Sequence, residues 1–274
     1  MSDQSVRCVA LDFDLTLFDY ARPQDTTLIV PWLEALASRG VRVGIASGRS
    51  LASLRHEVEA VGMIWGAPFP AFVIEYECLV RDGAGETLAG AERWNETNLR
   101  ETEILSREAV PLLQQVREDA RRAGVEIVRD ILVEPGSATI CLENPSVTEE
   151  ARLRLVASLD GTNSRFEIRR NHHILIVAVA GRNKGAAVRQ LQVAWGLSPQ
   201  EVLVVGDSLN DLPMMTGELG FRCATVGNAD PQVAARVRER GGFVAPARIT
   251  RGLMQIFAQS FGHIALAPDV VAVS

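Results

Sequence analysis

Four short apolar runs, each breaking off into acids, hydroxyls or glycine, constrain this chain more than any other feature. Val6–Phe13 reads as a buried strand that ends in Asp12-Phe13-Asp14-Leu15-Thr16. Val41–Ala46 is a second β-rich run and ends in Ser47-Gly48-Arg49. Val202–Val205 is a third, and runs into Gly206-Asp207-Ser208-Leu209-Asn210-Asp211. Phe72–Ile74 is a fourth and shorter one. Helical patterns at Leu28–Ser38 (stopped by Gly40), Ser50–Val61 (closed by Gly62) and Gly185–Trp195 separate them. A strand–helix–strand alternation implies parallel strands, right-handed crossovers and helices packed on the sheet. In such a sheet, ligands bind outside the carboxyl ends of the strands.

The rhythm changes in the middle of the chain. Leu79–Val80 and Thr87–Leu88 flank Asp82-Gly83, which predicts a hairpin. A long helix is expected over Ser106–Ala123 with Ser106 as N-cap, and another over Thr148–Leu159. Strands are expected at Val125–Val128, Ala138–Leu142, Phe166–Ile168 and Ile174–Val179. Helices beside paired strands predict an α+β module inserted into the first domain. The expected division is residues 1–79 and 179–274 for the core and 80–178 for the insertion. After Val205, strands are expected at Arg222–Val226 and Phe243–Ala245. Asp230-Pro231 should open one helix and Thr250 should cap the last. The tail after Gly262 is apolar.

Composition narrows the function classes. The formal charge is −6, from 28 basic and 34 acidic residues, which argues against a nucleic-acid partner. The run Ile174–Ala180 is far short of the ~20 apolar residues of a spanning helix, and the first apolar run is not a signal peptide. Cys8, Cys78, Cys141 and Cys223 are scattered without a CxxC pair, as expected of buried reduced thiols. A soluble, cytoplasmic protein fits these features.

The polar residues after each run carry the chemistry. Asp12 and Asp14 are close enough to repel by up to ~4 kcal/mol at an effective dielectric near 20, so a cation should hold them. Ser47, Gly48 and Arg49 at a strand-to-helix junction suit an anion, helped by the free N–H groups of the next helix. Lys184 in Gly181-Arg182-Asn183-Lys184-Gly185 can reach a phosphate as a point charge. Asp207 and Asp211 offer hard oxygen ligands of the kind magnesium prefers. Each motif alone also fits a capping turn or a solvated surface. Their order, which brings all of them to one edge of a parallel sheet, separates the readings.

In that order, Asp12-x-Asp14-x-Thr16, Ser47, Lys184 and Gly206-Asp207-x-x-Asn210-Asp211 resemble the motifs of the haloacid dehalogenase superfamily of phosphohydrolases. The insertion resembles the cap of its Cof-like branch, which includes sucrose-phosphate phosphatases and phosphomannomutases. The resemblance implies an α/β fold with a Rossmann-like parallel-sheet core, helices on both faces and an inserted α+β cap. It implies a Mg2+-dependent phosphatase acting on a small phosphorylated metabolite, such as a sugar phosphate, through an aspartyl phosphate. Asp12 would be the nucleophile and Asp14 the general acid and base. Ser47 and Lys184 would hold the phosphoryl oxygens. Asp12, Asp207, Asp211 and the backbone carbonyl of Asp14 would form the metal set, with Asp211 alternatively orienting Lys184. Thr16 and Asn210 would support their loops near the substrate, beside Gly48, Arg49 and, in Gly227-Asn228-Ala229, Asn228. A phosphomutase and a non-catalytic binding module remain alternatives.

The sequence departs from the branch at Leu15, where glycine is usual. It departs again at Glu75-Tyr76-Glu77-Cys78, where Asn-Gly-Ala is common, and at Arg251-Gly252 in place of Asp-Gly. His172 and His173 have no partner at metal-ligand spacing and are expected on a strand surface or hinge. Trp94, Tyr76 and Arg169-Arg170 are expected in packing or on the surface.

Overall fold

The structure is a computed structural model that describes residues 5–66, 68–159 and 165–262; the apolar tail after Gly262 lies outside the described residues. In chain order the elements are β1 (Cys8–Leu11), α1 (Val30–Ser38), β2 (Arg42–Ala46), α2 (Leu51–Ala60), β3 (Phe72–Glu75), β4 (Leu79–Asp82) and α3 (Glu92–Arg122). They continue with β5 (Ile127–Glu134), β6 (Ser137–Leu142), α4 (Pro145–Leu159), β7 (Phe166–Asn171), β8 (Ile174–Val179) and α5 (Lys184–Ala194). The last are β9 (Val202–Val205), α6 (Leu212–Met215), β10 (Arg222–Thr225), α7 (Pro231–Glu239), β11 (Phe243–Val244) and α8 (Ile249–Phe261).

Two compact units divide the chain. The first comprises residues 1–92 and 183–274, the second residues 93–182. In the first unit, seven strands form one sheet in the order β11-β10-β9-β1-β2-β3-β4. Its pairs are parallel except the antiparallel β3–β4. β1, β3 and β9 are buried at every position, as near-continuous apolar strands of a parallel sheet should be. Phe13, Leu36, Ile45, Val205, Ile256 and Phe257 belong to its core. The order of the strands decides where the motifs meet. β1 lies between β2 and β9, so the ends that carry Asp12, Ser47 and Asp207 are neighbours.

The second unit has a four-stranded antiparallel sheet in the order β5-β6-β8-β7. Leu105, Ala109 and Leu113 of α3 and Leu155 of α4 pack with Ile140, Leu142, Leu175 and Val177 of the sheet. His172, at φ 48°, sits in the short turn that joins β7 to β8. Among the described residues, no helix is long and apolar enough to cross a membrane. All four cysteines are buried free thiols, and burial pushes the Cys8 thiol up to about 12.

Several expectations are corrected. β4 pairs with β3 along its whole length, so it adds to the first sheet and the unit boundary falls after Glu92 instead of residue 79. Thr87 and Leu88 form no strand. Arg81 and Thr87 make an isolated bridge, while the Asp82 carboxylate accepts the N–H groups of Ala84 and Glu86 and tightens the turn. The long helix starts at Glu92, and Ser106 does not cap it; its hydroxyl donates to the Thr102 carbonyl as a mid-helix serine does. The first turns of that helix are polar, and this hides its apolar stripe. Thr250 does not cap α8 either, for its hydroxyl donates to the Leu17 carbonyl at 2.8 Å.

Candidate active site

Asp12, Ser47 and Asp207 are each delivered by a strand that stops being apolar. Asp12 follows β1, and its backbone N–H donates to the Val205 carbonyl at 2.8 Å, which carries the β1–β9 pairing to the end of the strand. Asp207 follows β9 by two residues. The turn 206–211 is closed by Asp211, whose Oδ2 accepts the N–H groups of Asp207 at 2.9 Å and Ser208 at 3.0 Å. Gly206 makes that closure possible. A Cβ there would lie 2.3 Å from the Asp211 carboxyl carbon.

Asp12, Asp207 and Asp211 are buried together, with one carboxylate oxygen from each within 4.8 Å of the others, a group able to hold a metal ion. Lys184, the first residue of α5 and fully buried, joins them. Its ammonium donates to Asp12 Oδ1 at 2.5 Å and Asp211 Oδ1 at 2.7 Å. Asn183 caps the helix by accepting the Ala186 N–H, which fixes the start of α5 at Lys184. Burial pushes the Asp12 carboxyl well up, aided by the nearby Asp211 charge, with Lys184 acting against it. Asp207 is pushed up to about 6 by the same two causes. Burial alone would lower the Lys184 ammonium, but Asp12 and Asp211 outweigh it and hold it raised.

The other predicted residues divide into those at the cluster and those beside it. The Thr16 hydroxyl donates to Asp207 Oδ1 at 3.0 Å, which ties the Asp12–Thr16 loop to the β9 loop. Asn228 Nδ2 donates to the Leu15 carbonyl at 2.8 Å and lies 3.5 Å from Asp207 Oδ2. Ser47 is fully buried, and its Oγ accepts the Arg49 N–H at 3.1 Å. Gly48 has open space, since a Cβ there would meet only the Glu77 side chain at 3.8 Å. Asn210 donates to Glu77 Oε1 at 2.8 Å.

Asp14 is not part of the carboxylate cluster found among the described residues. Arg49 Nε donates to both its oxygens, at 3.0 and 3.1 Å, and the Tyr20 hydroxyl donates to Oδ1. Arg49 also reaches Ser53 at 3.0 Å and Glu57 at 3.4 Å, and its guanidinium stacks over the rings of Phe13 and Tyr20.

Tyr20 belongs to none of the sequence motifs, yet its hydroxyl meets Asp14. Glu77 occupies the departure Glu75-Tyr76-Glu77-Cys78. Tyr76 and Glu77 have φ of 53° and 61°, a region that glycine or asparagine adopts more readily. Their N–H groups donate to the carbonyls of Arg49 and Ser47, at 3.1 and 2.8 Å. The segment therefore forms a left-handed turn that clamps the Ser47 loop. Leu15, likewise in the place of a usual glycine, has φ of 59°.

Residues 139–240 match the family model of haloacid dehalogenase-like hydrolases. No curated protein is significantly similar in sequence. Solved structures are similar over nearly the whole chain. The sucrose-phosphatase of Synechocystis sp. PCC6803, solved with sucrose and phosphate, is 19% identical, with 93% of this chain and 98% of that one covered and a TM-score of 0.66. A protein of Bacteroides thetaiotaomicron, described among phosphatases of the haloalkanoate dehalogenase superfamily, is 19% identical over 95% and 97% of the chains, with a TM-score of 0.64. A HAD/Cof-like hydrolase of Plasmodium vivax is 17% identical over 94% and 95%, with a TM-score of 0.61. At these identities the structural likeness is one of fold. The chain thus has the fold of these hydrolases, and its residues 139–240 match the haloacid dehalogenase-like hydrolase model.

Proposed function

We propose that the chain is a magnesium-dependent phosphatase of a small phosphorylated metabolite, with sugar phosphates as the substrate class. The observation that carries this reading is Lys184 held between Asp12 and Asp211 inside a buried group of three carboxylates. The residues fit a divalent cation. Three carboxylates face one ammonium, and hard oxygens without nitrogen or sulfur ligands suit magnesium. Asp12 and Asp207 would hold the ion. Both Asp211 oxygens already accept hydrogen bonds, which favours its role as the residue that orients Lys184 and closes the loop. When bound, the cation neutralises phosphoryl oxygens as a Lewis acid.

The remaining steps belong to the chain. An Asp12 oxygen attacks phosphorus while the bond to the leaving oxygen breaks, giving an aspartyl phosphate and an alcohol. Asp14 gives the leaving oxygen its proton and then takes one from the water that cleaves the acyl phosphate. Ser47 keeps its hydroxyl hydrogen for a phosphoryl oxygen, because its lone pair accepts the Arg49 N–H. The fold of a phosphatase solved with sucrose and phosphate supports the sugar-phosphate class by analogy.

The test is phosphate release from hexose phosphates, polyol phosphates, nucleotides and a phosphopeptide with Mg2+ present. A sugar or polyol phosphate should have the highest kcat/KM. Preference for a nucleotide or the phosphopeptide by ~100-fold, about 2.7 kcal/mol in the transition state, would overturn the substrate class. Formation of an isomeric sugar phosphate without free phosphate would replace the phosphatase with a mutase.

A further inference from the structure

The side chain of Asn228 joins three segments that are far apart in sequence. Its Nδ2 donates to the Leu15 carbonyl at 2.8 Å and reaches Asp207 Oδ2 at 3.5 Å, while its Oδ1 accepts the Ile249 N–H at 2.8 Å. Both backbone groups bound at 2.8 Å come from residues in an unfavourable conformation. Leu15 has φ of 59° and Ile249 has φ of 49°. For a β-branched residue such as Ile249 a positive φ is a true outlier, and it persists only where its surroundings impose it.

The surroundings do impose it. The 227–230 loop is pressed onto the chain before α8. Gly227 N–H donates to the Ala247 carbonyl at 2.7 Å, and a Cβ on Gly227 would lie 2.4 Å from the Pro246 carbonyl oxygen. Asp230 N–H donates to the Asp207 carbonyl at 2.8 Å, so the same loop is fastened to the β9 turn. A second tie runs from α8 to the nucleophile loop, where Thr250 Oγ1 donates to the Leu17 carbonyl. The start of α8 is thus a strut. Asn228 carries it to Leu15 and Asp207, and Thr250 carries it to Leu17.

We propose that Asn228 is a positioning residue for cation binding, fixing the Asp12–Thr16 loop and the Asp207 carboxylate relative to each other through its amide, and that it does not contact substrate. The inference rests on the magnesium-dependent reading above. Both Nδ2–H groups of Asn228 are already directed at the protein, so a phosphoryl oxygen, which needs a donor, would have to displace one of these bonds. The expected contribution is to the geometry of two ligands borne on separate loops, and therefore to metal affinity more than to phosphate affinity.

The experiment measures Mg2+ binding to the full chain by calorimetry, with inorganic phosphate binding and thermal unfolding alongside. Asn228→Ala should weaken Mg2+ binding by about tenfold or more and change phosphate affinity at saturating Mg2+ by less than about twofold. Thr250→Val keeps the side-chain volume and cuts only the second tie; it should weaken Mg2+ binding about threefold, and it decides the matter if Asn228→Ala does not fold. Unchanged Mg2+ affinity in a folded Asn228→Ala, or in Thr250→Val when that is the variant available, would overturn the proposal. So would a loss of phosphate affinity with Mg2+ binding intact, which is the signature of a substrate contact. Absence of divalent-cation binding by the unsubstituted chain would instead overturn the magnesium reading together with this inference.

Discussion

Arg49 holds Asp14 by both carboxylate oxygens from a single Nε, at 3.0 and 3.1 Å, and so keeps the second acid of the Asp12–Thr16 loop apart from the buried carboxylate cluster. Under the proposed function Asp14 has to exchange a proton. Asp14→Asn should lower kcat by ~10²–10⁴-fold with little change in Mg2+ affinity, as removal of a general acid and base does. Arg49→Lys keeps the charge but not the stacking on Phe13 and Tyr20, and should cost less than Asp14→Asn. Wild-type kcat in Asp14→Asn, measured on a substrate with a poor leaving group, would remove Asp14 from proton transfer.

Lys184 offsets three buried acids. Replacing it with Met leaves their charges uncompensated, and breaking a buried pair from one side costs roughly 3–5 kcal/mol. The thermal midpoint of Lys184→Met should therefore fall in metal-free buffer and recover part of the loss on adding Mg2+, since a ligand that binds only the folded state raises stability by mass action. A midpoint equal to wild type without metal would mean that the acids are neutral in the folded chain and that the ammonium does not hold them.

Metal removal should abolish turnover. Excess chelator is expected to bring phosphate release to background, and Mg2+ should restore it better than Ca2+, whose looser shell misplaces the attacking carboxylate. Asp207→Ala should raise the Mg2+ concentration needed for half-maximal rate by tenfold or more, or end activity. A metal titration identical to wild type would take Asp207 out of the site. Asp12→Asn keeps the shape but loses the nucleophile, and substantial residual activity in that variant would displace Asp12 from its role.

The second unit offers a test by pH. The side-chain hydrogen bond from Arg152, joined by that from Arg170 on β7, holds the Glu149 carboxyl down to about 2. A folded-state value below the unfolded one stabilises above the unfolded value near 4.5 and is lost as pH falls toward 2. With the Glu149 side chain 36% exposed, screening leaves a contribution of roughly 1 kcal/mol. Glu149→Gln should thus lower the thermal midpoint by a few degrees at pH 7, with the difference closing near pH 2. An equal difference at both pH values would assign the effect to packing.

The strand–helix alternation, the parallel core and the order of the motifs were legible in the sequence because each depends on local patterns. Short apolar runs have few ways to be buried. A polar residue at the end of such a run is placed by the run itself, as Asp12, Ser47 and Asp207 are. Asp230 as the cap of α7 was legible for the same reason, since a cap bonds within its own turn. Tertiary structure decided what depends on partners distant in sequence. That β4 pairs with β3, that Arg49 binds Asp14 across 35 positions, and that Asn228 bridges Leu15 and Ile249 follow from strand order and loop packing. No local pattern fixes these. The same holds for Leu15, Tyr76, Glu77 and Ile249, whose positive φ contradicts their own preferences. Their side chains argue for extended or helical backbone, and hydrogen bonds to distant segments help hold them otherwise.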